Sequence, residues 1–79
     1  MFCLATRHSL VKAREVNRAI ERRGGYLIRQ VGSHRRYEAK RGDVVCHTTV
    51  PQHPGDIPAG TLRAIERDME PVFGKGWLR

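Results

Sequence analysis

The chain is small and strongly basic: its 79 residues include 15 lysines and arginines against 8 aspartates and glutamates, for a formal net charge of +7. This length suits one domain that buries roughly 60 to 65% of the surface its unfolded chain exposes, and it excludes a second domain. We therefore treat 1–79 as a single domain with its core in about 12–69, flanked by tails 1–11 and 70–79 that we assign to no element.

Most of the basic residues are arginines, whose guanidinium groups bind phosphate in bidentate geometry. Such an excess favours a nucleic acid or an acidic protein as partner. Two cysteines, Cys3 and Cys46, are too few for the disulfide framework of a small secreted domain. No segment approaches the ~20 apolar residues of a membrane span. The sequence thus predicts a cytoplasmic protein with no membrane contact.

The first predicted element is a helix over about Lys12–Arg23. Its apolar residues recur at three- and four-residue steps, and Gly24 with Gly25 ends it. The stripe comprises Ala13, Val16, Ala19 and Ile20. A row of arginines, Arg14, Arg18 and Arg22, follows the flank of the helix and is either a solvated face or a contact for the RNA backbone or an acidic protein partner.

Three strands follow, joined by two tight turns. Residues 26–31 alternate as Tyr26, Ile28 and Gln30 against Leu27, Arg29 and Val31. Gly32–Ser33 is the first turn, residues 35–40 alternate again, and 41–43 is the second turn. Residues 44–50 complete an antiparallel meander, which Pro51 ends because it cannot donate a ladder hydrogen bond.

A proline-rich loop, 51–58, leads to a second helix from about Ala59 to Asp68 or Met69. Leu62, Ile65 and Met69 share one face of this helix, and Arg63 and Arg67 lie on another. The sequence therefore predicts an α+β fold of order α-β-β-β-α. A three-stranded antiparallel sheet carries both helices on one face and leaves the other face in water.

The strongest functional signal is His34, between a glycine turn and two arginines. Imidazole titrates near neutrality and can transfer protons, while Arg35 and Arg36 can hold phosphate. A proton-transfer group beside phosphate-binding groups is the minimum needed to cleave RNA through its own 2′-hydroxyl, with no metal required. Strand alternation places Arg36 with His34 and puts Arg35 with Tyr37 on the opposite face, so we rank Arg36 above Arg35 and assign Tyr37 to the core.

Three further residues are candidates for RNA binding. Arg29 is a phosphate ligand, and Ser33 either orients the turn or contacts RNA. His53, in the loop, is a second acid/base group, a phosphate contact, or a histidine satisfied by the backbone. If His34 and His53 are close, one can take the 2′-hydroxyl proton while the other protonates the leaving 5′-oxygen.

We expect no metal and no cofactor. Candidate ligands exist, but no CxxC or HxxxH spacing organises them. They are Cys46, His47 and His53, with Cys3 or His8. We interpret Cys46 as a small strand residue and His47 as structural or solvated.

Three sequence blocks in order resemble the HicA toxins of HicA/HicB toxin–antitoxin systems. The blocks are Gly24-Gly25-Tyr26 through Arg29-Gln30-Val31 to Gly32-Ser33-His34 and Tyr37, then Val50-Pro51-Gln52-His53, then Gly60-Thr61-Leu62-Arg63-Ala64-Ile65. The resemblance implies a fold like that of double-stranded RNA-binding domains, ribonuclease activity against mRNA, a catalytic histidine at His34, and neutralisation by a HicB antitoxin.

The leading hypothesis is a metal-independent endoribonuclease toxin that leaves a cyclic 2′,3′-phosphate and a 5′-hydroxyl. The alternative is a non-catalytic module that binds double-stranded RNA through phosphates and 2′-hydroxyls. A third possibility, a protein-binding partner of an acidic regulator, explains the charge but gives His34 no role. Only activity separates the first from the other two.

Overall fold

The computed structural model describes residues 11–78. They form the predicted order of elements, namely α1 (Ala13–Arg22), β1 (Tyr26–Val31), β2 (His34–Arg41), β3 (Val44–Pro51) and α2 (Ala59–Phe73). The sheet is antiparallel with strand order β1-β2-β3. The predicted α+β architecture is therefore confirmed. Cys3 and His8, two of the metal-ligand candidates, lie outside the described residues.

Helix α1 begins where Glu15 accepts a hydrogen bond from the backbone N–H of Lys12, at 2.9 Å. This bond satisfies one of the donors that a helix start leaves without an intrahelical partner. The helix ends before Gly24, whose φ of 98° suits glycine. Gly25 then passes so close to α1 that a Cβ there would collide with the side chain of Ile20. Any larger residue at 25 would therefore have to displace the side chain of Ile20 for the chain to enter β1 along this path.

The register of the β2–β3 hairpin is regular from Arg41 opposite Val44 to His34 opposite Pro51. Both hairpin turns have glycine with positive φ at the first central position, 58° at Gly32 and 61° at Gly42. A two-residue turn with positive φ at that position fits the right-handed twist of the strands. The turns therefore fix which side chains share a face of β2 and β3.

Strand β1 departs from the predicted alternation. Its register with β2 shifts between Leu27 and Arg29, so that one extra residue is inserted. Tyr26 consequently lies opposite Glu38, while Gln30 lies opposite Arg35. Because Glu38 and Arg35 are on opposite faces of β2, the prediction that Tyr26 and Gln30 share a face is wrong.

Both helices pack on one face of the sheet, which we call the inner face. The buried core joins side chains of α1, β2, β3, the loop before α2, and α2, among them Val16, Ile20, Tyr37, Ala39, Val50, Ile57, Ile65 and Met69. The predicted core role of Tyr37 is confirmed, since it is fully buried. The opposite face, the outer face, carries His34, Arg36, His47 and Thr49, and no helix of residues 11–78 lies over it.

Helix α2 extends to Phe73, beyond the predicted end near Asp68 or Met69. Pro71 does not end the helix, because it lies in the last turn and is exposed, where its missing N–H removes a single helical bond. The following residues complete the core, because Trp77 is buried and its indole N–H donates to the carbonyl of Glu66 at 2.8 Å. The ring of Trp77 meets that of Phe73 edge to face at 4.9 Å.

Between residues 11 and 78, no helix is both long enough and apolar enough to cross a membrane.

Candidate functional site

His34 is the first residue of β2, directly after the Gly32–Ser33 turn. It lies opposite Val31 of β1 and Pro51 of β3, so both neighbouring strands fix its backbone. Its side chain is exposed on the outer face. An exposed imidazole on a rigid strand can reach a ligand without any movement of the sheet.

A shallow groove on the outer face surrounds His34. It is lined by two residues of β1, two of β2 and one of β3: Arg29 and Val31, His34 and Arg36, and Thr49. We call it the His34 groove. Arg29 lies opposite Arg36 across the strands, and the Arg36 guanidinium donates to the hydroxyl of Thr49 at 3.0 Å. Neither arginine forms an ion pair with a carboxylate of residues 11–78, so both guanidinium groups can bind an anion.

Arg35 is not in this groove. Its Nε donates to the side-chain oxygen of Gln30 at 2.9 Å, and its Nη1 donates to the Tyr37 hydroxyl at 3.3 Å. The Tyr37 hydroxyl in turn donates to Glu21 of α1 at 3.3 Å. Arg35 therefore belongs to a polar network that joins the inner face to α1, and strand alternation had predicted this separation from His34.

Burial is the main reason that the pKa of Tyr37 lies above its ordinary value. The hydrogen bond from Arg35 acts in the opposite direction, and the nearby Glu21 carboxylate raises the pKa further. The phenol is therefore held neutral, as a donor within this network.

Ser33 and His53 lie at the same end of the sheet as His34 but outside its groove. The carbonyl of Ser33 accepts a hydrogen bond from the N–H of Gln52, which ties the first turn to the loop after β3. The side chain of Gln52 pairs with that of Asn17 of α1 through two hydrogen bonds, at 2.9 and 3.2 Å. This link joins the backbone of the turn to α1 through Gln52, and the role of the Ser33 side chain stays a prediction.

His53 lines a second groove, which it shares with Lys12, Arg14, Gln52 and Pro54, among others. Lys12 is paired with Asp56 at 2.7 Å, whereas Arg14 is exposed on α1 and has no carboxylate partner in the described part of the chain. The two histidines therefore line separate grooves.

Sequence reasoning missed a three-strand cluster on the outer face. The two oxygens of Glu38 bind different partners, the Tyr26 hydroxyl at 2.5 Å and Nε2 of His47 at 2.8 Å. The Tyr26 hydrogen bond is the main reason that the pKa of Glu38 lies below its ordinary value, and the same bond raises the pKa of Tyr26. We call Tyr26, Glu38 and His47 the outer-face triad.

Two of the three residues of this cluster, Glu38 and His47, could have been paired from the sequence. Counting back from the Gly42–Asp43 turn pairs Glu38 with His47. The same count from the Gly32–Ser33 turn would pair Glu38 with Leu27, and only the bulge in β1 brings Tyr26 there.

Metal-ligand candidates do not converge in the part of the chain that the structure describes: no three histidine, cysteine, aspartate or glutamate side chains of residues 11–78 are placed to hold a metal ion. Cys46 is buried and free in β3, as the sequence interpretation had it.

The site thus combines an exposed imidazole with two guanidinium groups that have no carboxylate partner among residues 11–78, on a sheet face that neither α1 nor α2 covers. Comparisons with curated proteins and with solved structures give no match. A family model described as "HicA toxin of bacterial toxin-antitoxin" matches residues 13–70, from the start of α1 to the last turn but one of α2. This range includes the His34 groove and most of the core, and the family implies a cognate antitoxin as partner. The chain belongs to the HicA toxin family of bacterial toxin–antitoxin systems.

Proposed function

We propose that this toxin is a metal-independent endoribonuclease that cleaves mRNA, with His34 as its proton-transfer group. The observation that carries the proposal is the His34 groove, in which an exposed imidazole lies beside Arg29 and Arg36. Imidazole supplies proton transfer near neutral pH, and paired guanidinium groups supply binding of the scissile phosphate and stabilisation of its developing charge.

In the proposed reaction, His34 takes the proton of a ribose 2′-hydroxyl as that oxygen attacks the adjacent phosphorus. The bond from phosphorus to the 5′-oxygen breaks, and this oxygen receives a proton from an acid, either the imidazolium of His34 or water. The products are a cyclic 2′,3′-phosphate and a 5′-hydroxyl. Arg29 and Arg36 contact the phosphate oxygens, where the negative charge increases in the transition state.

The other predicted RNA-binding residues take more peripheral roles in this proposal. Ser33 shapes the turn that presents His34, and Arg35 positions β2 from the inner face. His53 contacts a neighbouring part of the RNA through its own groove, beside Arg14. The contacts that His53 and Arg14 make with RNA phosphates are expected to be independent of base sequence and to weaken as the salt concentration rises.

We further propose that a HicB-like antitoxin neutralises this toxin. The net charge of +7 supports an acidic partner surface. The exposed rows of α1 (Arg14, Arg18, Arg22) and α2 (Arg63, Arg67) offer such a partner a large cationic area. Addition of the purified antitoxin is expected to stop RNA cleavage.

The direct test is incubation of a labelled mRNA fragment in EDTA with the wild-type chain, His34→Ala and Val45→Ala. Loss of an acid/base histidine is expected to slow cleavage by about 10²- to 10⁴-fold for His34→Ala. Val45→Ala shortens an exposed side chain on the same face, outside the His34 groove, and is expected to leave the cleavage rate unchanged. Circular dichroism checks that all three proteins are equally folded.

Three outcomes would contradict the proposal. Equal cleavage by the His34 variant excludes its catalytic role, and products ending in a 3′-hydroxyl exclude attack by the 2′-hydroxyl. RNA that is bound but not cleaved by the wild type would instead support the non-catalytic RNA-binding module.

A further inference from the structure

The outer-face triad has two exposed rings held by one carboxylate. Tyr26 is 40% exposed, and the side chain of His47 is 40% exposed. They belong to β1 and β3, the strands on either side of β2, and each hydrogen-bonds to a different oxygen of Glu38. The rings are therefore held in place on the face of the sheet opposite α1 and α2.

Fixed exposed rings are costly for a surface with no ligand, because they leave apolar area in water. They are useful for unpaired nucleobases, since every base has a π-face that stacks on an aromatic side chain. An uncovered antiparallel sheet that presents rings on neighbouring strands is a surface that single-stranded RNA can use. In a duplex, the same base faces are already stacked and cannot reach the rings.

The surroundings of the triad match a polyanion. Lys40 lies on the same face of β2, with its Nζ 4.0 Å from Glu38, and Arg36 and Arg29 lie toward the other end of the strands. Glu38 is four residues from His34 along β2, which is about 13 Å at the usual rise of a strand. One RNA strand lying along the sheet therefore spans the triad and the His34 groove within a few nucleotides.

From this geometry we infer that the outer-face triad is a stacking subsite for unpaired bases of single-stranded RNA, located along the sheet from the scissile phosphate. The inference deepens the proposed function, on which its link to cleavage rests. Tyr26 and His47 stack on bases, and Glu38 fixes the two rings. The toxin accordingly selects single-stranded segments of its substrate.

The test uses a fluorescent single-stranded RNA of about twelve nucleotides, a length within the range that one small domain contacts. Its riboses carry 2′-O-methyl groups, so that no 2′-hydroxyl is available for cleavage. Its affinity is measured by anisotropy for the wild type, Tyr26→Phe, Tyr26→Ala and Leu27→Ala. Leu27→Ala is the matched control, because Leu27 adjoins Tyr26, is 44% exposed and lies on the inner face.

Loss of one stacked ring is expected to weaken binding by about 5- to 100-fold in Tyr26→Ala. Tyr26→Phe keeps the ring and is expected to stay within about twofold of the wild type, as is Leu27→Ala. The same RNA annealed to its complement is expected to show no difference between Tyr26→Ala and Tyr26→Phe.

Two results would overturn the subsite. Equal affinity of Tyr26→Ala and Leu27→Ala would show that the ring makes no contact with RNA. Equal losses in Tyr26→Phe and Tyr26→Ala would show that the hydrogen bond to Glu38, and not the ring, is what matters, as for a purely structural clasp.

Failure of the subsite is distinguishable from failure of the proposed function. Cleavage that depends on His34, together with unchanged binding by Tyr26→Ala, rejects the subsite alone. Cleavage that persists in His34→Ala, together with weakened binding by Tyr26→Ala, rejects the catalytic role and leaves the subsite in place.

Discussion

The two faces of the central strand β2 are built for different purposes. On the inner face, Tyr37 is fully buried and Ala39 is nearly so, under the two helices. On the outer face, His34 is exposed, and Arg36 is half-buried with its guanidinium directed to Thr49. Neighbouring residues of one strand thus divide between the buried core and the exposed face that we propose binds RNA, because successive side chains of a strand point in opposite directions.

The contrast is clearest for the two adjacent arginines. Arg35 is bound by Gln30 and Tyr37 within the network that leads to α1, whereas Arg36 donates to the Thr49 hydroxyl and lines the His34 groove. Two identical side chains therefore have different surroundings, and sequence adjacency alone is a poor guide to a site. Variants of each face should separate stability from RNA binding.

The largest expected effect is on the inner face. Tyr37→Ala removes a fully buried ring and breaks its hydrogen bonds with Arg35 and Glu21, so we expect a loss of about 3 to 5 kcal/mol in the free energy of unfolding. Thr49→Ala on the outer face should change it by less than about 1 kcal/mol. Urea denaturation measures both, and equal losses would contradict the division between faces.

Gly25→Ala probes the approach of α1 to the start of β1. The added Cβ would meet the side chains of Ile20 and Phe73, and overpacking of this kind costs about 1 to 3 kcal/mol of unfolding free energy. Gly60→Ala is the matched control: Gly60 lies in the first turn of α2 with open space around it, so alanine should stabilise the protein by about 0.4 to 1 kcal/mol. Thermal unfolding measures the stability of both variants. A Gly25→Ala variant as stable as the wild type would contradict the close packing of Gly25 against Ile20 and Phe73.

The arginine pair gives an intermediate effect. Arg36→Ala should weaken RNA binding and reduce the slope of log affinity against log salt by about 1, because one phosphate contact is lost. Arg35→Ala should instead lower the unfolding free energy by about 1 to 2 kcal/mol, with the salt slope unchanged. Binding titrations at several salt concentrations, paired with denaturation, check both. A reduced salt slope in Arg35→Ala, together with a lower unfolding free energy in Arg36→Ala, would contradict the assignment of the two arginines to the two faces.

The smallest effect is on pH dependence, where Tyr37 on the inner face and Glu38 on the outer face act in opposite directions. The raised pKa of Tyr37 gives stability that is present below the ordinary tyrosine pKa and is lost as pH rises through the folded value. The lowered pKa of Glu38 gives stability that is present above the ordinary glutamate pKa and is lost as pH falls through the folded value.

One variant tests the loss of stability at alkaline pH, and another tests the cause of the lowered pKa of Glu38. Tyr37→Phe should flatten the alkaline loss of stability, and Tyr26→Phe should bring the pKa of Glu38 toward its ordinary value because the main hydrogen bond to that carboxylate is removed. Denaturation across the pH range follows the first, and NMR titration of the Glu38 carboxyl follows the second. An unchanged Glu38 titration in Tyr26→Phe would mean that the hydrogen bond does not set this pKa.

Much of the fold was predictable from the sequence. Apolar spacing located α1 and the start of α2, and glycine turns with strand alternation gave the hairpins and the shared face of His34 and Arg36. Two local features were not predictable. The bulge in β1 depends on how that strand meets β2, and the continuation of α2 through Pro71 depends on the burial of Val72 and Trp77. Tertiary packing outweighed the local signal in both cases.

Part of the candidate site was also predictable from the sequence. His34, Arg36 and the separation of Arg35 follow from alternation along one strand. Predicting the outer-face triad requires the register of all three strands. Counting residues back from the first turn gives the wrong partner for Tyr26, because β1 contains a bulge. The placement of His53 in a second groove depends on the path of a loop, which periodicity does not address.

The central claim is that RNA binds the outer face, and NMR mapping tests it most directly. Backbone amide signals of the wild type would be followed during titration with the uncleavable 2′-O-methyl single strand. We expect the largest shifts in the His34 groove and the triad, at Arg29, His34, Arg36 and His47. Shifts confined to the exposed faces of α1 and α2, with the outer face unchanged, would contradict the account.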